Sequence, residues 1–306
     1  MGSESGDLPA WIALHAVDGM GAASLRRLLR RFGSPRAVLD ASPEGLDAVP
    51  RVPRQVVEGI VGQAERLEEH RATAAKLARE GVHTLRLGEP GYPPRLGELP
   101  NPPPLLYLRG RLPDSERPTF GIVGTTRASR HGMEVADAAA RRLADRGWVV
   151  VSGNARGIDA AAHRAALRAG RATILVLPTG ILRFCARAGY PPPGELWRCA
   201  AALSEWHPQA PWRTAAALAR NRVIAALSDA LLVVETRERG GAMSTLRHAV
   251  ALGRRTFVVR FREPAPSAGG NPAAEAAGAS PVRSLRELEE RLQAPRALPD
   301  QKHLPW

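Results

Sequence analysis

The sequence predicts an α/β fold in which a doubly wound, mostly parallel sheet follows a small all-helical N-terminal domain. After residue 118, short apolar runs rich in β-branched residues alternate with amphipathic helical segments. Uninterrupted apolar runs of this kind are typical of parallel strands that helices cover on both faces. Residues 10–80, in contrast, place apolar side chains at helical spacing and contain no comparable series of runs.

Five apolar runs predict the strands of the sheet. They are FGIVG at 120–124, WVVVSG at 148–153, TILVLP at 173–178, ALLVVE at 230–235 and TFVVRF at 256–261. Amphipathic segments such as HGMEVADAAARRLADRG and GIDAAAHRAALRAG predict helices between most of them. Helices are also predicted before the sheet, at AWIALHAV, at AASLRRLLRRF and along a longer segment near 53–80.

Composition divides the chain into four segments. We predict a helical domain over 1–80, a connector over 81–115 that packs on the sheet, a sheet domain over 116–295 and a tail over 296–306. The connector is dense in Pro and Gly, so it can hold only short strands such as HTLRL and LLYLRG, paired as a hairpin or at an edge. The proline-broken tail is expected to be disordered or loosely docked.

The charge of the chain is unevenly distributed. The 43 Lys and Arg residues exceed the 30 Asp and Glu residues by 13, and the two signs cancel within residues 1–80, so the whole excess follows residue 80. Such an asymmetry indicates a polyanionic partner, with nucleic acid as the leading candidate. Only Lys76 and Lys302 are lysines, so the arginine bias could also reflect genome composition.

Other sequence features exclude several classes of protein. Cys185 and Cys199 lie outside any C-x-x-C spacing, which indicates packing residues rather than a disulfide framework or a zinc site, and no metal or cofactor is expected. No apolar run approaches the roughly 20 residues that span a bilayer, and the N-terminus lacks the pattern of a signal peptide. We therefore expect a cytoplasmic protein without a membrane partner.

The loops that follow the strands are the places to look for a ligand. In an open parallel sheet, ligands bind where strands end and helices begin, because free helix N–H groups favour phosphate there. The first loop, GIVGTTRASRHG, offers Gly124, Thr125, Arg127 and Ser129 before a helix that begins near residue 131. A glycine at such a turn is common for geometric reasons alone, so this loop is a weak signal by itself.

The second loop, VVVSGNARGIDAAAHRAAL, is richer. It offers Ser152, Gly153, Arg156 and Gly157 ahead of a helix that carries Asp159 and His163. Asp159 lies in the first helical turn, where a carboxylate usually accepts free N–H groups, although a ligand contact is the alternative. His163 could act as a general acid or base, but a lone helical histidine more often satisfies a local hydrogen bond.

Three further segments complete the candidate rim. LPTGILRF places Thr179 and Gly180 after a strand, and ETRERGGAMST supplies another glycine-rich helix entry. ARNRVIAALSDALLVVET places Arg220, Asn221 and Arg222 near the start of a helix, where two guanidinium groups beside an amide suit a phosphate and a base edge. Otherwise this helix packs its apolar residues and leaves the arginines solvated.

Several of these strings resemble the DprA/Smf family of DNA-processing proteins. SGNARGIDAAAHRAAL resembles the family pattern SGxARGIDxxAHxxAL, and RNRVIAALSDALLVVE resembles RNRIIAGLSxxxLVVE. GYPPRLGELPNPPPLLYLRG and GGNPAAEAAGA are also similar to family segments, in the same order along about residues 88–290. The N-terminal hairpin around AVDGMG is similar to the family's helical domain, but its second hairpin, AVPRVPRQ, lacks the glycine that would favour DNA binding there.

The resemblance implies an extended Rossmann-like fold that binds single-stranded DNA without catalysis, forms a homodimer and helps to load a RecA-type recombinase. It also implies a set of DNA-binding residues in one positive pocket: Gly124, Thr125, Arg127, Ser129, Ser152, Gly153, Arg156, Gly157, Thr179, Gly180, Arg220, Asn221 and Arg222. Of the aromatic residues near the loops, Tyr190, Trp197, Trp206 and Trp212, we expect at most one to touch a base.

The chain also departs from the family pattern. Thr126 stands where the family has arginine, with Arg127 one place on as a possible substitute, and Pro178 and Leu182 replace a glycine and an acidic residue. The family's C-terminal winged-helix domain is also not recognised. A vestigial pocket is therefore one alternative. Another is a nucleotide sensor or a nucleoside-monophosphate phosphoribohydrolase of similar fold, although ERGGAMSTLRH lacks the glutamate that this chemistry needs.

Overall fold

Nine strands form one mixed sheet in the computed structural model, which describes residues 8–294. The strands are β1 (Val82–Arg86), β2 (Leu105–Gly110), β3 (Thr119–Val123), β4 (Val149–Ser152), β5 (Thr173–Val176), β6 (Ala200–Ser204), β7 (Ala230–Val233), β8 (Arg255–Val259) and β9 (Ser280–Val282). Their order across the sheet is β1-β2-β6-β5-β4-β3-β7-β8-β9. The strands β3 to β9 pair with one another in parallel. Strand β2 joins β6, and β1 joins β2, in antiparallel fashion.

Thirteen helices are described within residues 8–294. They are α1 (Leu8–Ala16), α2 (Ala22–Phe32), α3 (Pro35–Leu39), α4 (Pro43–Asp47), α5 (Arg54–Val61), α6 (Leu67–Arg79), α7 (Arg130–Asp145), α8 (Ile158–Arg168), α9 (Pro193–Cys199), α10 (Thr214–Leu227), α11 (Gly241–Ala251), α12 (Asn271–Ala276) and α13 (Leu285–Gln293). Short 3₁₀ turns occur at Pro94–Glu98, Ile181–Arg183 and Pro266–Ala268.

The predicted fold class is confirmed. All five predicted strands are present as β3, β4, β5, β7 and β8, and the two short strands of the connector pair as the β1–β2 hairpin at one edge of the sheet. The long segment near 53–80 forms two helices, α5 and α6, rather than one. The strands β6 and β9 and the short helices α3 and α4 were not predicted. The predicted tail over 296–306 lies outside the described residues.

The order in which successive strands are added to the sheet reverses at β3. Strands β3, β4, β5 and β6 succeed one another on one side, and the chain then returns to place β7 on the other side of β3. The loops after β3 and β7 therefore diverge to opposite faces and leave a crevice between them. Such a switch point is the usual ligand site of an open parallel sheet.

Two helical layers cover the sheet. Helices α7, α8 and α13 bury one apolar face, where Phe120, Val150 and Leu232 meet the alanine-rich sides of α7 and α8. Helices α10, α11 and α12 cover the other face, with Ile224 and Met243 against Val123 and Val233. The many small alanines let the helices approach the sheet closely.

The N-terminal helices share their apolar core with the sheet. Leu14, Leu25 and Leu28 belong to the same buried cluster as Tyr107 of β2 and Leu175 of β5. The helical part thus covers the β2–β6–β5 region beside α8 and has no separate core. Within residues 8–294, no helix has both the length and the apolar character that crossing a bilayer requires.

Candidate nucleic-acid interface

A cavity of about 470 Å³ lies at the switch point of the sheet. Its walls come from the carboxyl ends of β3, β4, β5 and β7 and from one side each of α10 and α11. Of the predicted binding residues, six line it: Gly124, Thr125, Gly153, Arg156, Arg220 and Asn221. Four of the six follow the ends of β3 and β4, and the other seven predicted residues lie outside the lining.

Arg220 forms part of the cavity floor and is a buried structural cation. It is only 5% exposed, and its Nη1 donates to the carbonyl oxygens of Gly153, at 2.6 Å, and Val176. Burial lowers its pKa to about 10, against the opposing effect of Asp159 and Glu205, so the guanidinium stays charged at neutral pH. Arg220 thereby ties the ends of β4 and β5 together beneath the ligand space.

Gly153 is the residue that lets Arg220 lie there. A Cβ atom at residue 153 would come within 2.3 Å of Nη1 of Arg220, closer than any real contact. This glycine is thus required by the packing of a guanidinium group over the strand end.

Asp159 organises the second loop from inside. Its Oδ2 accepts from the backbone N–H groups of Gly153, at 3.1 Å, and Ala155, at 3.4 Å, and the residue is 6% exposed. Burial raises the pKa of Asp159, while the charge of Arg220 and the two backbone donors oppose that effect. The carboxylate shapes the loop that carries Arg156.

His163 lies behind the loop, away from the cavity. It is fully buried, with Nδ1 2.7 Å from the Thr173 hydroxyl, which itself donates to the Val150 carbonyl at 2.9 Å. The Thr173 hydroxyl thus lies between the imidazole and the Val150 carbonyl oxygen. Burial, aided by the charge of Arg220, lowers the pKa of His163 to about 3.

Ser129 serves as the N-cap of α7. Its Oγ accepts from the Gly132 N–H at 2.9 Å, and its own N–H and hydroxyl both donate to the carboxylate of Glu235 at the end of β7. Glu235 is 1% exposed and also accepts from Ser267 at 2.9 Å. Arg127 is exposed and lies outside the cavity lining.

Ser152 and Gly157 hold the loops in place. The Ser152 hydroxyl donates to the Ile122 carbonyl at 2.5 Å and is fully buried. Gly157 has φ +74°, and a Cβ there would lie 2.4 Å from the Thr125 carbonyl oxygen. Any other residue would therefore be strained and would push the first and second loops apart.

The third loop is also close-packed. A Cβ on Gly180 would lie 2.2 Å from the backbone oxygens of His207 and Pro208, and the Thr179 carbonyl accepts from the Ser204 hydroxyl at 2.7 Å. Neither Thr179 nor Gly180 lines the cavity, whereas Pro178 does. The third loop thus supports the segment 205–213 behind the cavity wall.

The structure does not bring Arg222 into the cavity. Its guanidinium pairs with Glu205 and lines a second cavity of about 270 Å³, between α2 and the loop after β6. Residues 220–222 also lie well inside α10, which begins at Thr214, and not near its start. Asn221, next in sequence, does face the first cavity and donates to the Gly241 carbonyl at 3.1 Å.

Two arginines of the cavity were missed in the sequence. Arg187 comes from the irregular segment after β5, and its Nε donates to the Asn154 carbonyl at 2.9 Å. Asn154 adopts φ +54° and is held further by the Tyr190 hydroxyl at 3.1 Å. Arg237 follows β7 in a loop that the Asn271 side chain fixes by accepting from the Thr236 N–H at 2.9 Å. Only position after a strand end could have indicated either residue.

The charges of the cavity favour an anion. Four arginines and one aspartate line it: Arg156, Arg187, Arg220, Arg237 and Asp159. Within residues 8–294, no carboxylate forms an ion pair with Arg156, Arg187 or Arg237. Helix α11 also begins at the cavity, with Gly240 at its N-cap and no side chain over its first N–H groups. Free guanidinium groups and helix N–H groups are the donors that phosphates prefer.

Comparison with known sequences gives a consistent result. The family model of DNA recombination-mediator protein A matches residues 83–293. Protein Smf of Synechocystis is 35% identical over an alignment of 262 positions, which covers 81% of this chain and 63% of that protein. The DNA processing protein DprA of Bacillus subtilis is 30% identical over 219 residues, which are 71% of this chain and 74% of that protein. The chain thus spans less than two thirds of the length of the Synechocystis protein.

Two solved structures are similar in fold. DNA processing protein A from Streptococcus pneumoniae aligns with a TM-score of 0.71 at 23% identity, over 92% of this chain and 97% of the other. A structure of DNA processing protein A from Helicobacter pylori, described for its single-stranded DNA binding mode, aligns with a TM-score of 0.57 at 28% identity, over 69% and 95% of the two chains. The family model over residues 83–293 and the identity to the Bacillus subtilis protein show that the chain belongs to the DNA recombination-mediator protein A (DprA/Smf) family.

Proposed function

We propose that this protein binds single-stranded DNA at the switch-point cavity and acts as a recombination mediator. The observation that carries the proposal is the set of three arginines without carboxylate partners, Arg156, Arg187 and Arg237, around a cavity that also receives the start of α11. Arg156 and Arg237 are exposed on the rim. Cations on an open rim suit a polyanion that passes across the cavity more than a small ligand that is enclosed by it.

The residues that could perform acid–base chemistry are otherwise engaged, which supports a non-catalytic role. Asp159 holds two backbone N–H groups, and His163 is buried against Thr173. Glu235 fixes the start of α7. The phosphoribohydrolase alternative needs a glutamate at the start of the helix after β7, and α11 begins there with Gly241, Ala242 and Met243.

The family match motivates the rest of the proposal. We infer that the bound strand is presented to a RecA-type recombinase in the cytoplasm and that the protein acts as a homodimer. Handover of strands of any sequence is consistent with contacts to the DNA backbone, which carry no sequence preference.

Titration of a fluorescent oligo-dT at two salt concentrations tests the DNA-binding proposal. We expect the double variant Arg156→Ala/Arg187→Ala to bind at least about tenfold more weakly, since each lost charge-assisted phosphate contact contributes on the order of 1 kcal/mol or more. The matched control is Arg54→Ala/Arg286→Ala, which removes two exposed arginines on α5 and α13. We expect its affinity to stay within about twofold of the parent.

An unchanged affinity of the Arg156/Arg187 variant would refute the assignment of this cavity. Competition by a nucleoside monophosphate at low concentration, with no preference for the longer strand, would favour the small-nucleotide alternative instead.

A further inference from the structure

Trp212 stands out on the surface of the molecule because its indole is 62% exposed at the edge of the cavity. It lies in the segment between β6 and α10, one residue before the N-cap of α10 at Arg213. Leu218, one turn along α10, is 44% exposed and lines the same cavity. The two side chains thus form an apolar margin beside a cavity whose charged lining residues are four arginines and one aspartate.

Three of the other tryptophans of the described chain are used in packing. Trp11 is 7% exposed. Trp148 packs edge-on against Phe120 with ring centroids 5.8 Å apart, and the ring centroids of Trp197 and Phe184 are 5.0 Å apart. In residues 8–294, no aromatic ring or guanidinium group is stacked on Trp212. An indole left in water beside a functional cavity offers a flat apolar face to a ligand.

The neighbouring cations identify the chemistry of that ligand. Arg156, Arg187 and Arg237 supply phosphate donors around the same cavity that Trp212 and Leu218 border. A phosphate group joined through a sugar to a flat aromatic base is the repeating unit of a nucleic-acid strand. Aromatic side chains next to a basic groove bind such strands by stacking on the bases, with little sequence preference.

We propose that Trp212 stacks on one base of the bound strand, with Leu218 beside it, while the arginines hold the adjacent phosphates. This inference rests on the proposed function and deepens it, because it makes the cavity recognise bases as well as backbone. It distinguishes a nucleic-acid site from a general polyanion site.

The stacking is tested by measuring the affinity for two oligonucleotides of equal length. One is oligo-dT and the other is a strand without bases. We expect Trp212→Ala to weaken oligo-dT binding by about tenfold, within the range found for loss of one stacked base, and Trp212→Phe to retain most of it. Binding of the abasic strand should be the same for Trp212→Ala and the parent. Val61→Ala on α5, which removes an exposed apolar side chain far from the cavity, is the control and should change neither affinity.

Intrinsic fluorescence gives a second measurement that needs no change in affinity. Oligo-dT should quench the tryptophan emission of the parent and of the control, and the quenching should disappear in Trp212→Phe. Equal oligo-dT affinities of Trp212→Ala and the parent, or an equal loss on the abasic strand, would overturn the stacking and leave the arginine site standing. Failure of the parent to bind either strand would overturn both the stacking and the proposed function. A Trp212→Ala defect confined to binding of a recombinase would overturn the stacking and assign Trp212 to a protein interface instead.

Discussion

Two charged side chains under the cavity fix the backbone of the second loop through hydrogen bonds. Arg220 and Asp159 are both buried, and each is bound to backbone groups of the second loop: Arg220 to the Gly153 carbonyl and Asp159 to the Gly153 N–H. One peptide segment is therefore held from both sides by opposite charges. Loss of either residue would remove an opposite charge that partly offsets the cost of burying the other.

His163 makes stability depend on pH. Its pKa is about 3 in the folded protein against 6.5 as the ordinary value, so below pH 6.5 the unfolded chain takes up a proton that the folded protein refuses. The stability that depends on neutral His163 is complete above pH 6.5 and is lost as the pH falls towards 3. At pH 5 the loss is on the order of 2 kcal/mol.

We therefore expect His163→Gln to flatten the pH dependence of unfolding between pH 7 and 5, as measured by urea denaturation at several pH values. Parallel curves for the parent and the variant would show that His163 does not titrate as proposed. The oligonucleotide affinity should be unaffected at pH 7.5, because the side chain lies behind the loop.

At the scale of elements, residues that cap a helix have a structural role, which a measurement can distinguish from binding of the ligand. Ser129 caps α7 and is fixed by Glu235 from β7. We expect Ser129→Ala to lower the free energy of unfolding by about 1–2 kcal/mol, because the hydrogen bonds of the Ser129 hydroxyl to Gly132 and Glu235 are lost. The oligo-dT affinity should change less than about twofold. Ser284→Ala, at the N-cap of α13 far from the cavity, provides a comparison for capping alone. A large loss of affinity with unchanged stability would mean that Ser129 contacts DNA.

The geometry of α10 explains why only part of its basic motif reaches the cavity. Successive helical residues are about 100° apart, so Arg222 lies about 200° around the axis from Arg220. Arg220 and Asn221 accordingly face the switch point, and Arg222 faces Glu205 on the other side. Adjacency in sequence suggested a joint site that a helix cannot form.

Most of the sheet was predictable from sequence, because its buried strands are rich in valine, isoleucine and leucine. Strand β6 was missed because Ala200–Ser204 is mostly alanine, which has little strand preference, and β9 because Ser280–Val282 is short and contains proline. Of the residues predicted after strand ends, Gly124, Gly153 and Arg156 line the cavity, whereas Arg127, Thr179 and Gly180 do not. Arg187 and Arg237 were not predicted, since irregular segments carry no periodicity that would indicate which way a side chain points.

At the scale of the whole molecule, the number of phosphates that the protein neutralises sets how binding responds to salt. If Arg156, Arg187 and Arg237 each neutralise one phosphate of a single strand, the logarithm of the affinity should fall with the logarithm of salt concentration with a slope of about −2. The slope should approach about −0.7 in the Arg156→Ala/Arg187→Ala variant. Equal slopes for the two proteins, measured by fluorescence anisotropy, would show that these arginines contact no phosphate.

The shared core of the N-terminal helices and the sheet has a geometric consequence for a long DNA strand. Because Leu14 and Leu25 are buried with Tyr107 of β2, and the Tyr107 hydroxyl lies 3.3 Å from Nδ1 of His15, the helices keep a fixed orientation relative to the cavity. A strand that leaves the cavity toward them meets a surface whose position is already set. Any contact made there adds to affinity without the entropy cost of first immobilising a tethered module.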